Sequence, residues 1–185
     1  MAAAQEAEAR GDIVALVYKD GATGGRVLQR FADALRRSGY TCAGLIQHDE
    51  WQPGRARCDM LLENLQSGGR VRISDDRGPH ARGCRLDPDG LLSAMTDVRN
   101  ALHDGADVLV LSKFGKSETE GSGFRPLIAD AFERGIALVI GVPARNIAGW
   151  HAFAGDAARE ISAEMCEGMS DEALVQLLRI ARPRP

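Results

Sequence analysis

The sequence has few of the features that mark membrane, secreted or nucleic-acid-binding proteins. Aromatic residues make up 5% of the 185 residues, and no apolar run approaches the roughly 20 residues of a membrane helix. The first ten residues contain two glutamates and no apolar core, so they do not resemble a signal peptide. The formal net charge of −3 argues against general affinity for nucleic acid. We therefore expect a cytoplasmic protein that neither inserts into a membrane nor binds nucleic acid.

Cysteine is scarce and is not spaced for redox or zinc sites. Cys42, Cys58, Cys84 and Cys166 form no C-x-x-C pair. Cys58 and Cys84 lie in polar, arginine-bearing segments, but together with His80 they match no zinc-ligand spacing. A chain of this length buries enough surface to be stable without disulfides or a structural metal. We expect four reduced thiols and no metal site.

Hydrophobic patterning predicts strands that alternate with helices. Short apolar runs predict strands over residues 12–18, 41–47, 107–111 and 136–142. Helical spacing, caps and terminating glycines predict helices over residues 26–38, 88–104, 124–134, 146–153 and 171–181. Residues 155–169 match neither pattern. Because each predicted strand is continuously apolar, we expect an α/β fold with a mostly parallel sheet and helices on both faces.

A hairpin interrupts this alternation in the middle of the chain. Residues 58–65 and 70–74 flank Ser67-Gly68-Gly69, which predicts two antiparallel strands inserted into the parallel pattern, although residues 59–66 also suit a short helix. No linker or internal repeat is evident. We predict one domain over residues 11–181, with disordered tails at residues 1–10 and 182–185.

The loops after Tyr18 and Leu111 are candidate binding segments, because ligands of such sheets bind beyond the carboxyl ends of the strands. In the first loop, glycines and the start of a helix suit a phosphate-like anion. A tight strand-to-helix turn would also need glycine. The candidate ligand-binding residues here are Lys19, Gly21, Thr23, Gly24, Gly25 and Arg26.

The second loop is dense in polar residues. Lysine occurs in the chain only at Lys19, Lys113 and Lys116, next to these two loops, whereas the other basic residues are arginine. This distribution is either chance or a need for a compact cation at a site. Lys113, Gly115 and Lys116 are therefore candidate ligand-binding residues.

Arginines are concentrated between residues 70 and 85. Such a segment is usually a solvated hairpin with surface ion pairs that contribute little. The alternative is a flap whose guanidinium groups close over an anionic ligand, and for this role the candidates are Arg82 and Arg85.

The chain resembles a P-loop nucleotide-binding fold, and more narrowly an uncharacterised bacterial family of nucleoside-triphosphatase-like proteins often labelled molybdenum-transport ATP-binding proteins. The resemblance covers most of the chain and is carried by the segments VYKDGATGGRVLQRFADAL, RCDMLLENLQSGGRVRISDDRGPHARGCRLDP, DVLVLSKFGKSETEGSGFRP and AGWHAFAG. A more distant similarity to thermophile-type nucleoside triphosphatases rests on strand order and on the G-K-x-E core at residues 115–118.

The chain departs from that family's pattern where magnesium would bind. A working Walker A loop has lysine followed by Ser or Thr, but Arg26 and Val27 stand there. The carboxylates expected after the second site strand correspond to Ser112 and Lys113. These replacements predict a degenerate P-loop scaffold that binds an anion without a divalent ion.

Two functions follow from the loops and the resemblance. The first is binding of a nucleotide or an oxyanion, such as molybdate, tungstate or phosphate, as the ligand or cofactor, with a link to molybdenum metabolism implied only by the family label. The alternative is a nucleoside triphosphatase or phosphotransferase with Glu118 or Glu120 as the base. The sequence leaves open whether any bond is broken. A small anionic ligand is the expected partner, and a second copy or a molybdate-pathway protein is the candidate macromolecular partner.

Overall fold

The computed structural model describes residues 11–51, 53, 58–74, 87–181 and 183. Strands and helices alternate along most of these residues. The strands are β1 (Ile13–Tyr18), β2 (Cys42–Glu50), β3 (Asp59–Asn64), β4 (Arg70–Arg72), β5 (Val108–Leu111), β6 (Ala137–Pro143) and β7 (Ala158–Ser162). The helices are α1 (Gly21–Arg37), α2 (Pro88–His103), α3 (Lys116–Thr119), α4 (Arg125–Glu133), α5 (Ile147–Ala154), α6 (Ala163–Cys166) and α7 (Asp171–Gln176).

The strands form one sheet in the order β4-β3-β2-β5-β6-β1-β7. The five strands β2, β5, β6, β1 and β7 run parallel to one another. At one side of the sheet, β3 pairs antiparallel with β2, and β4 pairs antiparallel with β3. The register aligns Tyr18 with Pro143 and Leu111 with Ile140, so β1, β6 and β5 reach the same edge of the sheet. The segments that follow these three strands are therefore neighbours in space.

Helices cover both faces of the sheet. On one face, α2, α4 and α5 pack over buried residues such as Leu109 and Leu138. On the other face, α1, α6 and α7 pack over residues such as Val14 and Val139. Successive residues of the central strands thus enter opposite cores, which explains why these strands are continuously apolar.

The fold class is confirmed as α/β, with a mostly parallel sheet, helices on both faces and an inserted hairpin. The hairpin spans β3 and β4, so the alternative of a helix over residues 59–66 is wrong. Leu62 and Asn64 are buried two residues apart, which places them on the same side of β3, whereas the buried Asp59 belongs to the opposite side.

The last part of the chain differs from the sequence-based expectation in two ways. Residues 155–169, which matched no pattern, contain β7 and α6. The last helix ends at Gln176, well before the predicted end at residue 181. The predicted tails lie outside the described residues except for Pro183, which is described. Within the described part of the chain, no helix is long and apolar enough to cross a membrane.

Candidate functional site

The connection between β1 and α1 is shorter than the sequence predicts. Lys19 and Asp20 alone separate the two elements, and the glycines that follow lie in the first turns of α1. The Asp20 carboxylate caps the helix by accepting a hydrogen bond from the Thr23 N–H at 2.8 Å. The prediction of a glycine-rich loop over residues 19–25 is therefore wrong. The cap and the buried apolar face of α1 outweigh the low helix propensity of glycine.

The ring of Tyr18 packs between the start of α1 and the end of β6. A Cβ built on Gly24 would lie 2.5 Å from Tyr18 Cγ, and one built on Gly141 would lie 2.4 Å from the Ser112 carbonyl oxygen and 3.1 Å from Tyr18 Cε1. Glycine at both positions lets α1, β1, β6 and the end of β5 approach closely. Burial raises the pKa of Tyr18 to about 12, although the positive charge of Arg145 acts to lower it.

The side chain of Arg26 contacts the segment after α6. Its Nη2 donates to Glu167 Oε1 at 2.8 Å and to Thr23 Oγ1 at 3.0 Å. One turn further along α1, Arg30 donates to the carbonyl oxygens of residues 166, 167 and 169. Arg26 is thus a half-exposed cation that already has a carboxylate partner.

The Glu118 carboxylate links the two ends of the segment that follows β5. Its Oε2 accepts the Gly115 N–H at 2.7 Å, and its Oε1 accepts the Phe124 N–H at 2.8 Å. The residue is 5% exposed, and the Arg125 side chain donates to its backbone carbonyl at 2.6 Å. Both carboxylate oxygens therefore hold backbone donors together in a buried position, which is a structural role.

Lys116 and Glu120 lie on the solvent side of α3. Lys116 Nζ and Glu120 Oε1 are 3.5 Å apart, and the two side chains are 85% and 62% exposed. Lys113 lies nearer the sheet, and a Cβ built on Gly115 would lie 3.5 Å from its Cε. Among the described residues, Lys113 has no ion-pair partner. Lys113 is thus a cation at the carboxyl end of β5 whose charge no described carboxylate neutralises.

Arg145 is a cation that sequence reasoning missed. It follows the carboxyl end of β6, the strand between β1 and β5. Its charge acts on Tyr18, and within the described part of the chain it has no carboxylate partner. Asn146 Nδ2 donates to the Phe114 carbonyl at 2.9 Å, which joins the segments after β6 and β5. The rule applied to β1 and β5, a polar segment after a buried strand, would have identified Arg145.

Lys19 faces the end of the edge strand β7. The Lys19 N–H donates to Glu164 Oε1 at 3.2 Å, and the Ser162 hydroxyl donates to Glu164 Oε2 at 2.7 Å. The bond from Ser162, the backbone bonds and the charge of Lys19 lower the pKa of Glu164 below its ordinary value. Glu164 is therefore a charged acceptor beside Lys19 at neutral pH.

The structure brings the segments with Lys19, Lys113 and Arg145 together at the carboxyl ends of the strands, which we call the carboxyl edge of the sheet. Other candidate residues are outside the part of the chain that the structure describes. Arg82 and Arg85 lie outside the described residues, as do His80 and Cys84. Cys42 and Cys166 are buried thiols.

The side chains at this edge differ from those of a Walker A loop. Val27 is buried in the core at the position where a hydroxyl ligand would be needed. The described residues contain no group of three or more His, Cys, Asp or Glu that could hold a metal ion.

A solved structure shares this fold. The crystal structure of THEP1 from the hyperthermophile Aquifex aeolicus matches with a TM-score of 0.66, covering 90% of this chain and 99% of that one, at 13% sequence identity. The similarity shows that the chain has the same fold as THEP1.

Sequence comparison finds a curated relative and a family. The chain is 29% identical over 143 residues to the molybdenum import ATP-binding protein ModC 2 of Bradyrhizobium diazoefficiens, a match that covers 77% of this chain and 16% of that protein. The chain thus spans about one sixth of the length of this relative. The model of a family described as a protein of unknown function, DUF2478, matches residues 13–169. The chain belongs to the DUF2478 family.

Proposed function

We propose that this domain binds a small anion, a nucleotide phosphate or an oxyanion such as molybdate, at the carboxyl edge of its sheet and without magnesium. The observation that carries the proposal is the placement of Lys19, Arg145 and Lys113 after the neighbouring strands β1, β6 and β5. Lys113 and Arg145 lack a carboxylate partner among the described residues. Two cations that no described carboxylate neutralises attract an anion, whereas Lys19 already has the Glu164 carboxylate beside it.

The residues around these cations support binding without a metal. The hydroxyl and carboxylate positions of a magnesium site are taken by Val27, which is buried, and by Ser112 and Lys113. A lysine ammonium at that place repels a divalent cation and attracts the anion directly. Of the other candidates, Gly21, Thr23, Gly24, Gly25 and Arg26 lie in the first turns of α1, and Gly115 and Lys116 lie at the start of α3. Arg82 and Arg85 lie outside the described residues.

Two observations bear on which anion binds. The P-loop-type fold favours a nucleotide, and the name of the relative connects that protein with molybdenum import. Hydrolysis with Glu118 as base is less favoured, because both of its oxygens are engaged by backbone N–H groups.

The experiment is isothermal titration calorimetry with phosphate, molybdate, tungstate and ATP, each with Mg²⁺ and with EDTA. We expect binding that survives EDTA, and a loss of about ten- to a hundredfold in affinity for Lys113→Ala and for Arg145→Ala. Arg99→Ala is the matched control, because Arg99 is a surface cation paired with Asp130 at 2.8 Å away from this edge. Equal affinities in all four proteins would contradict the site. Nucleotide binding only with Mg²⁺, followed by phosphate release, would support the triphosphatase instead.

A further inference from the structure

The sheet ends at β7, a strand with one open side. β7 is last in the strand order and, within the described residues, pairs only with β1. The backbone N–H and C=O groups of β7 that face away from β1 therefore have no backbone partner in the part of the chain that the structure describes. An open strand of this kind is a template for the addition of one further strand.

Two clefts border one face of β7. Ala158, Glu160 and Ser162 alternate along the strand and therefore lie on the same face. Ala158 packs against the core that includes Trp150 of α5, so this is the face that α5 covers. A cleft of about 460 Å³ is lined by Ala158 and Glu160, and a second cleft of about 260 Å³ is lined by Glu160 and Ser162. The two clefts thus follow each other along the strand.

The two clefts differ in chemistry. The first, which we call the acidic cleft, contains the carboxylates of Asp156 and Glu160 and the ring of His151. His151 pairs with Glu160, whereas Asp156 has no ion-pair partner among the described residues. The second, which we call the apolar cleft, has a mainly apolar wall that includes Val17 and Ile161. The acidic cleft therefore suits a basic side chain, and the apolar cleft suits an aliphatic one.

The spacing of the clefts matches the repeat of a strand. Side chains two residues apart on a strand lie on the same side, about 6.6 Å from each other. A strand added to β7 therefore places one side chain in each cleft when a single residue separates them. Antiparallel pairing is the more stable arrangement per residue. In that direction the side chain for the apolar cleft precedes the one for the acidic cleft.

We propose that β7 binds an extended segment of another protein in which an aliphatic residue, any one residue and then an arginine or lysine follow one another. The segment pairs antiparallel with the open side of β7. A second copy of β7 does not match, because pairing about the middle residue of the strand sets two Glu160 carboxylates opposite each other, and opposed like charges destabilise a sheet. This inference does not depend on the proposed anion binding.

The test measures the affinity of the full chain for labelled threonine-rich peptides by fluorescence anisotropy. The peptides have about eight residues, enough to span an edge strand. The test peptide is TTVTRTTT, and its control, TTVRTTTT, directs valine and arginine to opposite faces of a strand. We expect the test peptide to bind at least tenfold more tightly than the control. The reverse order, TTRTVTTT, suits only parallel pairing and should bind less tightly than the test peptide.

Variants of the protein locate the two side chains. Asp156→Asn removes the carboxylate without a described partner and should weaken binding of the test peptide severalfold. Ala144→Leu narrows the apolar cleft, which Ala144 lines, and should also weaken binding. The matched control is Asp97→Asn, because Asp97 is an exposed carboxylate on α2, which packs over β2 and β3 at the other end of the sheet. This control should bind the test peptide as the unmodified protein does.

Each contrary result overturns a stated part of the inference. Equal affinity for the test peptide and its control would overturn the binding of a strand by β7 and leave the anion proposal standing. Self-association of the unmodified protein in sedimentation, without peptide binding, would place a second copy on β7 instead. Unchanged affinity in Asp156→Asn would show that the acidic cleft does not receive the basic side chain. Tighter binding of the reverse peptide would overturn the antiparallel direction.

Discussion

Glycine-rich segments follow both β1 and β5, and the fold treats them differently. After β1, the glycines lie in a regular helix whose first turn is capped by the exposed Asp20 carboxylate. After β5, they lie in a loop fastened by the buried Glu118 carboxylate. Each segment thus depends on one carboxylate that accepts backbone N–H groups, but solvent competes for only one of them.

The glycines themselves show the difference. Gly123 has a φ of +64°, and a Cβ there would lie 1.9 Å from Glu118 Oε1, so the second loop requires glycine. Gly21 and Gly25 have no positive φ, and a Cβ at either position would meet no atom within 4 Å. The structure explains glycine at position 123 but not at positions 21 and 25. Similar glycine content therefore has different causes in the two segments: Gly123 is needed for a positive φ in the loop after β5, whereas after β1 only Gly24 is needed, for close packing against Tyr18.

The largest effect is expected when the second loop loses its carboxylate. Glu118→Ala removes two charge-assisted hydrogen bonds, so the free energy of unfolding should fall by about 3 kcal/mol or more in urea denaturation. Glu118→Gln keeps one acceptor oxygen and should lose less. A Glu118→Ala protein as stable as the original, but without a triphosphatase activity that the original shows, would assign Glu118 to catalysis instead.

A smaller loss is expected at the one glycine of the first segment that has a packing role. Gly24→Ala places a methyl group 2.5 Å from Tyr18 Cγ, and overpacking of this kind costs roughly 1–3 kcal/mol of unfolding free energy. The change should be measured in urea and should leave the slope of the transition unaltered. An unchanged midpoint would mean that Tyr18 does not fix the position of α1.

The neighbouring glycine should respond in the opposite direction. Gly25→Ala adds a methyl group in open space within a helix, so stability should rise by about 0.5–1 kcal/mol. The same urea titration, run beside Gly24→Ala, makes each variant the control for the other. A loss of stability would show that residue 25 needs a conformation other than helix.

The smallest effect is expected at the exposed cap, and it should depend on pH. The hydrogen bond from the Thr23 N–H, with help from the charge of Arg26, lowers the pKa of Asp20 below 3.8. The ionised cap therefore stabilises the fold fully above pH 3.8, and this contribution is lost as the pH falls through the lowered pKa.

Thermal unfolding between pH 7 and pH 2 checks this expectation. Asp20→Ala should be less stable than the original protein at pH 7, and the difference should disappear in acid. Asp20→Asn provides a cap that does not titrate in this range, so it should keep most of the stability at pH 7 and show no such loss in acid. A difference for Asp20→Ala that persists undiminished at pH 2 would contradict the role of the charge.

The sequence predicted the central strands because their burial on both faces leaves continuous apolar runs, as in β5 and β6. It did not reveal β7, because this edge strand is only partly buried and mixes Arg159 and Glu160 with apolar residues. The glycine content of residues 21–25 predicts a loop, but the buried face of α1 makes these residues helical. Loop composition points to Lys19 and Lys113, and their role in binding stays a prediction.

Local pattern by itself determined the fold class and the two polar segments after β1 and β5, because burial periodicity and turn residues are properties of short stretches of sequence. The pairing of β3 with β4 decided between the hairpin and a short helix. The tertiary structure decided which segments become neighbours. The strand order places β6 between β1 and β5, and this adds Arg145 to the edge where Lys19 and Lys113 lie. Strand order depends on how distant parts of the chain pack together, so no local pattern contains it.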